Sequence, residues 1–123
     1  MTTMTMAAAL NAGLRRAMER DPSVVLLGED IGRLGGVFRV TDGLQKDFGQ
    51  ARVIDTPLAE SAIVGAAIGL AMRGLRPVVE IQFDGFVYPA FDQIVAQLAK
   101  LHQRSSGTVR LPIVIRLPFG GGI

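Results

Sequence analysis

The chain has 123 residues, 49% of them apolar, with 13 Lys or Arg against 11 Asp or Glu and a formal charge of +2. That is room for one domain with a real core, and with no cationic run longer than two residues it does not point to a nucleic-acid groove. Cysteine is absent, which excludes disulfides, thiolate zinc sites and a cysteine nucleophile and fits a reducing compartment, and no apolar run reaches the length of a membrane span.

Met6, Leu10, Leu14, Ala17 and Met18 recur at helical spacing, which predicts an amphipathic helix over 5–20 with Thr5 as its cap and Asp21-Pro22 as its stop. Arg15 and Arg16, with no acid in the first eighteen residues, give this segment some look of a transit peptide. The periodicity and the clean stop favour a folded helix, and with it a cytoplasmic chain lacking a targeting segment. The apolar run 24–27, closed by Gly28-Glu29-Asp30, reads as a buried parallel strand. Gly32, Gly35 and Gly36 form a glycine-rich loop, 40–48 is expected to hold a short helix, and 53–54 a short strand.

Thr56-Pro57 opens the next helix, expected to run to about Arg73 with Thr56 as cap and Pro57 first, or to start closer to Glu60. Residues 78–83 form a strand, and Phe91, Ile94, Val95, Leu98 and Leu101 mark a helix. Ser105-Ser106-Gly107 is a turn, and 113–117 is a strand between Pro112 and Pro118. Strands alternating with helices predict an α/β domain, a doubly wound and mostly parallel sheet with helices on both faces. The glycine loop 120–122 is expected to lead into a further element, so the fold reads as truncated at its C-terminal end.

In open parallel sheets, ligands bind beyond the carboxyl ends of the strands. Glu29 and Asp30, then Asp55, Thr56 and Glu60, then Gln82 and Asp84 all collect there. Glu60 stands among Pro57, Leu58, Ala59, Ala62, Ile63 and Val64. It is either a first-turn acid favoured by the helix dipole, or a desolvated carboxyl whose raised pKa suits proton exchange. Gly65 and Gly69 lie four apart in one helix and leave a face without side chains, for tight packing inside the domain or for a partner subunit. Phe83, Phe86, Tyr88 and Phe91 form an aromatic cluster, either core or a stacking surface for a heteroaromatic cofactor. His102, between Lys100 and Arg104, reads as a surface residue.

Several segments together carry a resemblance. They are Val25-Leu26-Leu27-Gly28-Glu29-Asp30, Arg33-Leu34-Gly35-Gly36-Val37-Phe38, Asp55-Thr56-Pro57-Leu58-Ala59-Glu60, Glu80-Ile81-Gln82-Phe83 and Tyr88-Pro89-Ala90-Phe91-Asp92-Gln93-Ile94. In order and spacing the chain resembles the beta chain of the pyruvate and branched-chain 2-oxo acid dehydrogenases. Asp55 to Gly69 carries the glutamate-then-glycine pattern of thiamine enzymes. The resemblance implies a thiamine diphosphate-binding fold in which 1–123 is the N-terminal part of a transketolase-like pyrimidine-binding domain, the C-terminal transketolase-like domain being absent.

Glu60 would then be the catalytic glutamate that hydrogen-bonds the N1′ nitrogen of the aminopyrimidine and sets its tautomer. Leu58 would offer backbone contact, Gln82 would lie near the cofactor, and Phe86 would stack on the pyrimidine. Gly65 and Gly69 would let partner helices approach. Carbonyls of Leu111, Ile113 and Val114 would hold a structural potassium ion. The diphosphate and Mg2+ would belong to a partner alpha chain in an alpha2-beta2 heterotetramer, and no Gly-Asp-Gly motif occurs here. The acyl product would pass to a lipoyl acyltransferase, and these 123 residues alone would be inactive. Residues 81–94 lean toward a branched-chain substrate and so toward branched-chain amino acid catabolism. Pyruvate, or a non-catalytic subunit-pairing role, is the alternative.

Overall fold

A computed structural model describes residues 3–120. Helix α1 spans Met6–Arg20, and Thr5 caps it, its hydroxyl accepting the Ala8 amide at 3.2 Å. Strand β1 (Val24–Gly28) is buried along its whole length. It pairs on one side with β2 (Val53–Asp55) and on the other with β3 (Arg76–Glu80), which pairs in turn with β4 (Val114–Arg116). The sheet order is β2-β1-β3-β4, all parallel. A central strand covered on both faces needs an unbroken apolar run, and Val24 to Leu27 supplies it.

Successive β1 side chains point to opposite faces and so feed two cores. Val25 and Leu27 pack with Ile63, Val64, Ala67, Val79 and Ile81, beneath helix α3 (Glu60–Met72). Val24 and Leu26 pack with Met18, Ile31, Leu44 and Val53, beneath α1 and the short helix α2 (Leu44–Phe48). Helices therefore cover both faces, the doubly wound arrangement expected from the sequence. Gly28 ends β1 where no side chain fits: a Cβ there would meet Ile31 Cγ2 at 2.9 Å and the Glu80 carbonyl at 3.0 Å.

Of the two expected starts of the third helix, the later one holds. Helix α3 starts at Glu60 with Ala59 at its cap and no side-chain capping bond, so Thr56 is not the cap. The Thr56 amide is instead spent on the Gly28 carbonyl at 3.0 Å, which carries the chain in extended form past the end of β2 before it can turn. The helix expected around Phe91 to Leu101 is present and continuous over 91–104, with a π-helical stretch inside it and a 3₁₀ helix ahead of it. The 3₁₀ helix covers Asp84–Ala90, the π-helical stretch Gln93–Leu98, and α4 Ala99–Arg104. Gly85 and Pro89 lie in the 3₁₀ helix, and a proline lacks the N–H a regular helix needs. Among the described residues no helix is long and apolar enough to cross a membrane.

Candidate functional site

The carboxyl ends of β1, β2 and β3 bring together residues from distant parts of the chain. Glu60 is the first residue of α3 and is 7% exposed, with the helix dipole favouring its charge. Glu29, the residue after β1, is equally buried, and its Oε1 has no hydrogen-bond partner among the described residues. Burial pushes the Glu29 carboxyl above its ordinary value. The neighbouring charges of Glu60 and Asp30 push the same way, while the Ala59 backbone N–H, which donates to it, opposes them. Two buried carboxyl groups thus lie near enough at the start of α3 for the charge of Glu60 to act on Glu29. The raised Glu29 carboxyl holds its proton more tightly than a solvated one does. The sequence placed Glu29 among the strand-end acids but gave no reason to single it out; its signal was a carboxylate directly following a fully apolar strand.

Beside this pair, Thr56, Pro57, Ala59, Ala62, Ile63 and Ala66 line a shallow hollow of about 190 Å³. The Thr56 hydroxyl is also buried without a partner among the described residues. Leu58, on the extended link, is 80% exposed, so its backbone is accessible. Gln82 lies two residues past β3 and is half-buried. Phe86 opens onto solvent from the 3₁₀ helix, with 46% of its surface exposed. Phe83 lies edge-on to Phe86, centroids 5.6 Å apart, and Phe38 lies edge-on to Phe83 at 5.7 Å. The aromatic cluster thus gains Phe38, from the glycine-rich loop, whereas Tyr88 and Phe91 turn outward and do not form core.

Other candidates resolve into scaffold. Asp55 accepts the Gly32 amide at 2.6 Å and pins the loop after β1. The exposed His102 sits with Nδ1 2.9 Å from the Val109 carbonyl and fastens the turn after α4. The two helix glycines separate. A Cβ on Gly65 would lie 3.5 Å from Gln93 Oε1 of the same domain, an ordinary contact. At Gly69 nothing described lies within 4 Å, so only there is the face bare. In the segment expected to offer carbonyls to a cation, the Leu111 carbonyl accepts the Ile113 amide at 2.8 Å. Leu111 and Ile113 are half-buried, and Val114 is exposed at the start of β4. Among the described residues no three His, Cys, Asp or Glu side chains gather as a metal site.

The family described as "Transketolase, pyrimidine binding domain" matches residues 2–123. A "Pyruvate dehydrogenase E1 component subunit beta" of Leifsonia xyli subsp. xyli is 67% identical over 121 residues, covering 98% of this chain and 36% of that protein. Proteins of the same name from Staphylococcus epidermidis and Acholeplasma laidlawii are 57% and 54% identical over 123 residues, covering all of this chain and 38% of each relative. The chain therefore spans little more than a third of the length of these relatives.

Proposed function

The chain belongs to the transketolase pyrimidine-binding domain family, and from that premise we propose that it forms the aminopyrimidine half of a thiamine diphosphate site in the beta subunit of a 2-oxo acid dehydrogenase. The observation that carries the reading is the buried pair of Glu29 and Glu60 at the start of α3. A ring nitrogen brought to Glu60 meets a carboxyl group sheltered from water, and the unpartnered Glu29 oxygen leaves room for a polar group of the ligand. The donors fit an aminopyrimidine: a carboxyl for the ring nitrogen, an accessible backbone at Leu58, an amide at Gln82, and the Phe86 ring for its face.

When bound, the cofactor supplies the electron sink for decarboxylating a 2-oxo acid. Glu60 holds the proton at the pyrimidine nitrogen, and Glu29 raises the cost of a second negative charge beside it. Leu58, Gln82 and Phe86 fix the ring's plane. The diphosphate and Mg2+ fall to an alpha chain, which pairs with this subunit in a heterotetramer through the face around Gly69. The carbonyls of Leu111, Ile113 and Val114 are the donors for a structural potassium ion. The acyl group passes to a lipoyl acyltransferase, and the assembly is cytoplasmic. For the substrate, the names of the relatives favour pyruvate. The lean toward a branched-chain acid drawn from residues 81–94 has no support among them, and we adopt the pyruvate reading.

The test is Glu60→Gln in the full-length subunit assembled with its alpha partner, which should fold and assemble while losing about 10²- to 10⁴-fold in decarboxylation at saturating cofactor. Turnover that falls by less than about threefold would sink the assignment.

A further inference from the structure

We propose that Phe83 and Phe38 are positioning residues for Phe86, forming an aromatic buttress that ties the plane of the cofactor-facing ring to the rigid loop after β1. The inference rests on the reading of Phe86 as the ring that lies against the aminopyrimidine.

Phe86 sits on the 3₁₀ segment that packs on α3 and ends in the buried Ala90, but its own ring points away from that contact. Its own amide bonds Phe83 O at 3.0 Å, and the segment's start is tied to the sheet by Asp84 N to Pro118 O at 3.2 Å. With 46% of its surface exposed, the ring has few neighbours to set its angle. Phe83 supplies that setting: the two rings stand at 85°. Edge-to-face pairing restrains the plane of a ring while occupying at most one of its faces, so a stacking face of Phe86 stays free.

Phe83 is backed in turn by Phe38, at 72° and 5.7 Å. Phe38 comes from a loop held by several hydrogen bonds. Gly36 N bonds Asp30 O at 2.8 Å, Thr41 N bonds Gly35 O at 3.1 Å, and the buried Thr41 hydroxyl donates to Ile31 O at 2.6 Å. Asn11 of α1 donates to Val40 O at 2.8 Å. Asp30 and Arg39 are held at φ of 56° and 59°, a left-handed backbone that residues with a Cβ keep only where their surroundings over-determine it. Only Asp30 at the loop's start bears on the carboxyl pair, through its charge beside Glu29. Delivering Phe38 to the back of Phe83 gives the loop's rigidity a purpose.

If the three rings merely fill space, removing one costs stability without regard to the others. If they act in series, Phe83 influences the cofactor only through Phe86. The experiment uses the full-length subunit assembled with its alpha partner. Phe38→Leu, Phe83→Leu, Phe86→Leu and the Phe83→Leu/Phe86→Leu double variant are titrated with thiamine diphosphate at saturating Mg2+ by calorimetry, and the apo proteins are melted in parallel. Phe83→Leu should raise Kd about two- to tenfold, the range one edge-to-face contact carries. Phe38→Leu, one ring further from the cofactor, should raise it less. Phe83→Tyr should restore it, and Phe83→Leu should add nothing once Phe86 is Leu. An unchanged Kd in Phe83→Leu, or the same rise with and without Phe86, overturns the buttress while leaving Phe86 its role. A Kd unmoved by Phe86→Leu removes the reading of Phe86 itself, and the buttress with it.

Discussion

Two loops flank the candidate site and are built in opposite ways. Residues 30–42, after β1, close on themselves: Ile31, Gly32, Gly35, Gly36, Val40 and Thr41 are buried, amides and hydroxyls find acceptors inside the loop or on Asp55, and the Val40 carbonyl accepts from Asn11 of α1. Residues 84–98, after β3, pass through 3₁₀ and π turns and leave Phe86, Tyr88, Phe91 and Val95 exposed at 46%, 77%, 54% and 40%. A loop that satisfies its own polar groups is stable wherever the sheet is. A loop that presents aromatic rings to water is shaped for contact with something further, since contiguous exposed apolar surface marks interaction sites. The difference teaches that one side of the site is prebuilt and the other is open to adjustment.

The largest effect is expected where the prebuilt loop is attacked. Gly35 has φ +77°, and a Cβ there would fall 2.8 Å from Asp42 Cα. Gly35→Ala combines left-handed strain of about 1–2 kcal/mol with overpacking of about 1–3 kcal/mol. Urea unfolding of the full-length subunit should show a loss of roughly 3 kcal/mol. A loss within about 0.5 kcal/mol, the range of an ordinary surface change, would break the contrast between the loops.

Substitutions on α3 probe the open side. Gly65→Leu presses on the flexible end of the Gln93 side chain, which should yield at a cost of about 1 kcal/mol. Gly69→Leu meets nothing described and gains up to about 1 kcal/mol of helix propensity in the subunit alone. It should nonetheless stop the alpha chain from joining, as size-exclusion profiles with and without that chain would reveal. Full assembly of Gly69→Leu would show that the bare face is not an interface. A Gly65→Leu loss as large as that of Gly35→Ala would show that both loops are equally rigid.

The smallest effect concerns pH. Burial holds the Glu29 carboxyl above the ordinary 4.5, so the folded chain keeps a proton that the unfolded chain has released over the range just above that value. The sign follows: in that window the folded state binds more protons, so the stability Glu29 contributes is greatest in acid and declines as pH rises. Glu29→Gln removes the decline. The stability of the variant relative to the parent should therefore climb between about pH 4.5 and neutrality, measured as urea midpoints at several pH values. A difference that stays flat would mean that Glu29 titrates as it does in the unfolded chain.

The elements that depend on local pattern were legible in the sequence. The apolar run of β1, the helical spacing of α1 with its Thr5 cap, and the position of Glu60 at the head of a small-residue helix each follow from a few neighbouring residues. Within the site, Glu60 and Phe86 stood out because their spacing resembles a family pattern, and the resemblance then found its family. The rest depended on groups brought together from far apart in the chain. The Gly28 carbonyl takes the Thr56 amide and so delays the start of α3, and Gln93 covers Gly65 but not Gly69. Phe38 reaches Phe83, and Glu29 comes beside Glu60. Periodicity and propensity by themselves decide which residues can form a strand or a helix, because those are short-range steric and hydrogen-bond preferences. Only the closed sheet decided which carboxyl group loses its water, because desolvation is set by everything packed around a group and not by its neighbours in the chain.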